Sequence, residues 1–176
     1  MRTQEIMMHC VQTGAVRPKR ADHTRRVVGL CQELADRFPE GRLDRQLLLD
    51  AAWLHDIAKD RDEERHNDPL VVRSMLAGYS VEADLDAVTA VIAGHDAPSG
   101  APVRYPLESA ALRLCNRLDK FNRAREKDKA EKKLEKAREK CDKTVRNLRR
   151  YGSLDEGAYE TLHAFYLEKL PALETL

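Results

Sequence analysis

Cysteine is scarce and unorganised in this 176-residue chain: Cys10, Cys31, Cys115 and Cys141 occur singly, with no Cys-x-x-Cys pair. That scatter excludes a zinc-finger type of structural site and gives no disulfide framework. The four thiols read as small apolar side chains in a reducing compartment. No apolar run approaches the ~20 residues of a membrane span. The segment from Arg2 to Val16 lacks the apolar core of a secretory signal, so a cytoplasmic chain with no membrane partner is expected. Charge of one sign is missing too: 31 Lys and Arg against 30 Asp and Glu leave a net charge of +1, which argues for neither nucleic acid nor membrane as a partner. Aromatic residues make up only 5%, thin material for stacking on the bases of a single strand. No alternating run reads as a strand.

What remains is helical periodicity in one domain-sized chain, long enough to bury a core. The spacing predicts helices over about 3–12, 18–38, 43–58, 69–77 and 81–94. Pro18 suits a first turn, Asp68 an N-cap, and Gly78 a stop. Residues 59–67, dense in charge, read as a loop, and 97–102 as a break. A long helix is expected from about Leu107 towards Arg150, and a final one from Leu154 to Leu170.

The long helix changes character at Lys120. Before it lies a broad apolar face; after it only a narrow stripe of Phe121, Ala124, Leu134, Ala137, Cys141, Val145 and Leu148. Fourteen Lys or Arg against seven Asp or Glu give residues 119–150 a charge of +7, balanced by −6 elsewhere. The arm reads first as a solvated helix whose stripe packs on the C-terminal helix or on a second subunit, making a homodimer. The other reading is a basic rim that attracts phosphate-rich ligands, with nucleic acid as a weaker candidate because only Phe121 and Tyr151 lie near it in sequence.

Chemistry concentrates at His55-Asp56, which closes the apolar run from Leu47 to Leu54. A buried Asp is costly unless paired, and an adjacent His adds a second polar group to satisfy. A divalent ion at the seam between the two side chains, about 100° apart on a helix, would satisfy both. Elsewhere His23, His66 and His95 stand in suggestive contexts, and Asp119 places a carboxylate inside an apolar stripe. His9 and His163 read as ordinary histidines. Imidazole and carboxylate donors suit Mn, Fe, Co, Ni, Zn or Mg.

The ordered set His23, His55-Asp56, His66, His95, Asp119 resembles the HD-domain superfamily of metal-dependent phosphohydrolases. The stretch Ala52-Trp53-Leu54-His55-Asp56-Ile57-Ala58-Lys59 is similar to its central motif, and Ala111 to Lys120 to its closing one. The resemblance covers roughly residues 18 to 125. It implies an all-α helical bundle with a metal centre between helices. Residues 1–125 would form the metal-binding domain, and 126–176 a charged helical extension on the same domain or a second subunit. The implied ligands are His23, His55, Asp56, His66, His95 and Asp119, holding one or two ions with Asp56 as a bridge. Asp56, Lys59, His66 and His95 would be catalytic, and Lys59, Lys120 and Arg123 would meet phosphate. The implied reaction is hydrolysis of a phosphoester or phosphoanhydride, in a small phosphorylated substrate of nucleotide type, by water whose pKa the metal lowers from ~15.7 toward ~7. Size and motif look most like the bacterial branch that cleaves dinucleoside polyphosphates. A 5′-nucleotidase, a diiron oxygenase and a non-catalytic metal-binding regulator are the alternatives.

Overall fold

The computed structural model describes residues 1–98, 100–126, 131–149 and 154–169. Among the described residues every regular element is a helix: α1 (Thr3–Gln12), α2 (Pro18–Ala35), α3 (Arg45–Leu54), α4 (Pro69–Leu76), α5 (Leu85–His95), α6 (Pro106–Glu126), α7 (Glu131–Leu148) and α8 (Glu156–Lys169). The all-α expectation is met, and no described helix is long and apolar enough to cross a membrane.

Local chemistry sets the starts of four helices, α2 to α5. Asp44 accepts a hydrogen bond from Leu47 N–H (3.0 Å), Asp68 from Leu70 N–H (2.9 Å), and Asp84 from Asp86 and Ala87 N–H (2.9 and 3.2 Å). Each satisfies donors that the first turn cannot satisfy itself. Asp84 explains why α5 begins at Leu85 rather than at the expected residue 81: an Asx cap is a stronger start than the apolar Val81. Pro18 and Pro69 occupy first turns, where their missing N–H costs nothing. α2 and α3 end earlier than their apolar patterns, at Ala35 and Leu54.

α3 is the central helix, in contact with α1, α2, α5 and α6. Leu48, Ala51, Ala52 and Leu54 are fully buried, as its long apolar run predicts. Its one buried charge, Asp50, accepts hydrogen bonds from Thr3 Oγ1 (2.6 Å) and Gln46 Nε2 (3.0 Å), which keeps the burial tolerable.

The single long helix expected over 107–150 is not what forms. α7 lies alongside α6, with Cys141 Sγ 3.5 Å from Arg117 O, whereas a continuous helix would hold residues 24 apart at ~36 Å. The narrow stripe explains the pairing: Cys141, Val145 and Leu148 are buried within the chain, against α6 and α8, rather than left for another subunit. Tyr166 Oη donates to Asp142, tying α8 to α7, and Lys169–Glu33 ties α8 to α2. Ser99 and residues 127–130, 150–153 and 170–176, on which parts of the expected 97–102 break and of the last two helices fall, lie outside the described residues.

Candidate metal centre

His55 and Asp56 sit where α3 runs out. The chain there tightens into successive turns, with N–H groups of Ile57, Lys59 and Arg61 bonded to carbonyls of Leu54, Asp56 and Ala58, three residues back (3.0–3.1 Å). Both side chains are held inside: His55 is 0% exposed and Asp56 2%. His55 Nδ1 lies 2.7 Å from Ala52 O. A carbonyl only accepts, so the ring proton is on Nδ1 and Nε2 presents a lone pair. The same device recurs at His66, whose Nδ1 donates to Glu63 O (2.7 Å), and at His95, whose Nδ1 donates to Ile92 O. His23 reaches the same state from a distance, with Nδ1 donating to Asp119 Oδ2 (2.6 Å).

These lone pairs converge on one carboxylate. His23 Nε2 is 3.7 Å from Asp56 Oδ2, while His55 Nε2 and His66 Nε2 are 3.8 and 3.7 Å from Oδ1. All are too long for hydrogen bonds, and His23 Nε2 and His55 Nε2 are buried with no hydrogen-bond partner. Burial drives the His55 pKa down to about 3 against the attraction of Asp56, so its ring is neutral at pH 7. Acceptor therefore faces acceptor with no donor between them, which costs free energy unless a cation lies there. One donor atom each from His23, His55 and Asp56 falls within 4.8 Å of the others, a spacing that a single divalent ion can span. The donor set thus fits the ion that the sequence implied.

The other expected residues surround this trio at different removes. His66 joins Asp56 through Oδ1. The His95 ring stands 5.8 Å from that of His55, and its Nε2 is 3.5 Å from Asn116 Nδ2. Asp119, the other expected ligand carboxylate, stands beside His23, its two oxygens engaged by His23 Nδ1 (2.6 Å) and by Arg26 Nε and Nη2 (2.7 and 3.2 Å). Lys59 follows Asp56 by one turn as expected, with Nζ 3.4 Å from Oδ1. Lys120 and Arg123 line the cleft that opens onto Asp56 and Asp119. Burial works to raise the pKa of both carboxylates. For Asp56 the surrounding His55, Lys59, His23 and Arg20 outweigh it and hold the carboxyl well below the usual range; for Asp119 the hydrogen bonds from His23 and Arg26 outweigh it, and its pKa is lowered.

Sequence reasoning missed the arginines of α2. Arg20 bridges Asp56 (3.4 Å) and Asp60 (3.0 Å), and Arg26 clamps Asp119. Their positions three residues either side of His23 put all three on one helix face, a signal that was available. His9 and His163 are ordinary, as expected: His9 bonds Tyr79 Oη (2.8 Å) and His163 stacks beside Tyr159 and Tyr166.

Gly94, beside His95, allows α5 to approach α6. A Cβ there would collide with Ser109 Oγ and Val103 Cγ1. Gly94→Ala is expected to cost ~2 kcal/mol by overpacking, seen in calorimetry as a fall in Tm of about 4–8 °C for a chain this size. An unchanged Tm would show that the helix contact is looser than described.

A family model described as HD domain matches residues 20–147. No curated protein and no solved structure matches the chain.

Proposed function

Since this chain belongs to the HD-domain family, we propose that it is a metal-dependent phosphohydrolase acting on a small phosphoester or phosphoanhydride, a nucleotide being the expected type. The observation that carries the reading is the acceptor-to-acceptor facing of His23 Nε2, His55 Nε2 and His66 Nε2 against Asp56, which a divalent cation would resolve. In this reading His23, His55 and Asp56 hold the ion, and Asp119 fixes the tautomer of His23. His66 Nε2, 3.7 Å from Asp56 Oδ1, is a further donor that would be available to a bound ion. When bound, the metal supplies Lewis acidity for activating water and for neutralising phosphate charge.

The remaining groups do the binding and positioning. Lys59, Lys120 and Arg123 face the cleft and can take phosphoryl oxygens, Lys as point charges and Arg as a fork. His66 and His95 each carry their proton at Nδ1, bonded to a carbonyl, so that Nε2 is the acceptor nitrogen, which His66 can offer to a water or a phosphate in the cleft. Asn116 holds an amide near His95 Nε2 at 3.5 Å, placing a donor beside that nitrogen.

Purified protein stripped with a chelator and dialysed should release no phosphate from a panel of mononucleotides, cyclic nucleotides and nucleoside polyphosphates. Readdition of Mn should restore release by at least ~100-fold over the stripped sample. Stoichiometric metal binding with no phosphate released from any compound would overturn the hydrolase reading. Metal-dependent oxygen consumption in that sample would identify the oxygenase alternative instead.

A further inference from the structure

Three of the four histidines expected as ligands turn Nε2 to Asp56 at 3.7–3.8 Å, and His95 does not. His95 is 4% exposed, so its nitrogens find their partners inside the protein. Nδ1 donates to Ile92 O, which leaves one lone pair, on Nε2. That lone pair meets Asn116 Nδ2 in a long hydrogen bond of 3.5 Å. Since Nε2 can only accept, the amide presents its NH2 there, and this pairing fixes its orientation. Asn116 Oδ1 is left buried without a hydrogen-bond partner.

The packing of α5 on α6 holds this contact in place. A Cβ at Gly94 would stand 2.4 Å from Ser109 Oγ, and that hydroxyl donates to Val91 O at 3.3 Å. Asn116 follows Ser109 by two helical turns, on the same face of α6, and is 8% exposed. One turn further on, Asp119 is bound by His23 and Arg26. A single imidazole lone pair serves one partner. A zinc ion on His95 Nε2 would sit about 2.0–2.1 Å from it, where the amide hydrogens now point. Binding there would break the bond and leave the buried NH2 unpaired, as Oδ1 already is. His23, His55 and Asp56 present no such obstacle. Both Nε2 atoms lack a partner, and the three donor atoms lie within 4.8 Å of one another.

We propose that Asn116 withdraws His95 from the metal centre, so that the site holds one ion rather than two, and that the side chain at position 116 sets this number. His95 thereby departs from the ligand role that the sequence resemblance implied for it. The inference rests on the metal centre of the reading above and not on the reaction. Asn116→Asp should reverse it. A carboxylate has no hydrogen to give His95 Nε2, so nitrogen and oxygen would together face a second cation, with His66 Nε2 as a further donor.

The test is a zinc titration of the metal-stripped full chain, read by calorimetry and by magnetic resonance of the imidazole nitrogens. The unsubstituted chain should take one zinc, with any second bound at least about tenfold more weakly. At the first equivalent the Nε2 resonances of His23 and His55 should move, and that of His95 should stay. His95→Gln should weaken the first zinc by less than about fivefold, below the roughly 10–100-fold that loss of a ligand's own supporting partner costs, whereas His23→Gln should exceed about tenfold. In Asn116→Asp a second zinc should bind within about tenfold of the first and move the His95 resonance. Two zinc ions of like affinity in the unsubstituted chain, an early shift of His95 Nε2, or a larger loss in His95→Gln would each overturn the proposal, and none of these readings needs Asn116→Asp to fold. A folded Asn116→Asp that still takes one zinc would overturn the part given to Asn116. Metal is read rather than turnover, so a chain that binds one zinc and releases no phosphate sinks the hydrolase reading alone. A chain that binds two alike and releases phosphate sinks this inference alone.

Discussion

Asp56→Asn is expected to lower phosphate release by about 10³-fold or more while leaving the protein folded at pH 7. Asp56 is the point on which the site converges: His23, His55 and His66 turn their unprotonated nitrogens to it at 3.7–3.8 Å, and Lys59 and Arg20 flank it at 3.4 Å. Asparagine matches the shape but removes the charge and one oxygen donor. The ion then has two neutral imidazoles in place of an imidazole pair and an anion, and its affinity should drop by ~100-fold or more, beyond what loss of a merely orienting partner costs. Calorimetric titration with Mn would read that loss directly.

The same substitution should act differently on substrate. With Asp56 neutral, the cations of the cleft face one carboxylate instead of two, so triphosphate binding should hold or tighten while turnover collapses. Loss in the turnover number with no rise in the dissociation constant marks a group that serves the reaction rather than binding. His163→Ala, on α8 beside Tyr159 and Tyr166, should leave turnover unchanged. Full activity in Asp56→Asn would mean that the histidine cluster is not the reacting site.

The parts of this site that were legible in sequence are those set by neighbours along the chain. The run from Leu47 to Leu54 announces a buried helix, and two polar residues at its end announce a reason for burying them. Asp68 and Pro69 mark a helix start by local hydrogen bonding alone. Other features depend on contacts between residues far apart. Nothing from Leu107 to Arg150 breaks a helix, since the stretch has neither Gly nor Pro. Its narrow stripe shows only that some partner covers it, and that partner proved to be the preceding helix, α6. His66 lies in a charged turn without periodicity; its place beside Asp56 follows from how the turns after α3 fold back. Likewise the Arg17–Asp60 pair, which joins the start of α2 to the turns after α3, spans 43 residues and leaves no mark in local pattern.

Buried neutral histidines also set how the metal-free protein responds to acid. His55 and His95 are 0% and 4% exposed, and burial lowers their pKa values from 6.5 to about 3 and about 4. In the unfolded chain both would titrate near the ordinary value. Between pH 6.5 and about 4 the unfolded state therefore binds up to two protons that the folded state refuses, and stability falls as pH falls. Each histidine contributes up to about 1.4 kcal/mol per pH unit once its unfolded form is protonated, so going from pH 6.5 to 5 should cost ~3 kcal/mol, a large share of the 5–15 kcal/mol typical of a domain. Asp56 and Asp119 have the opposite sense and a different window. Their lowered pKa values add stability that is present above the ordinary carboxylate value of 3.8 and is lost only as pH falls below it. Urea unfolding of the chelator-treated protein at half-unit steps from pH 7.5 to 4.5 should thus show a flat region above 6.5 and a slope approaching two protons below it. His95→Gln should remove about one of the two, because an amide in that position has nothing to titrate. A slope below one proton in the unsubstituted chain would mean that water reaches these rings and that the burial of His55 and His95 is not maintained in solution.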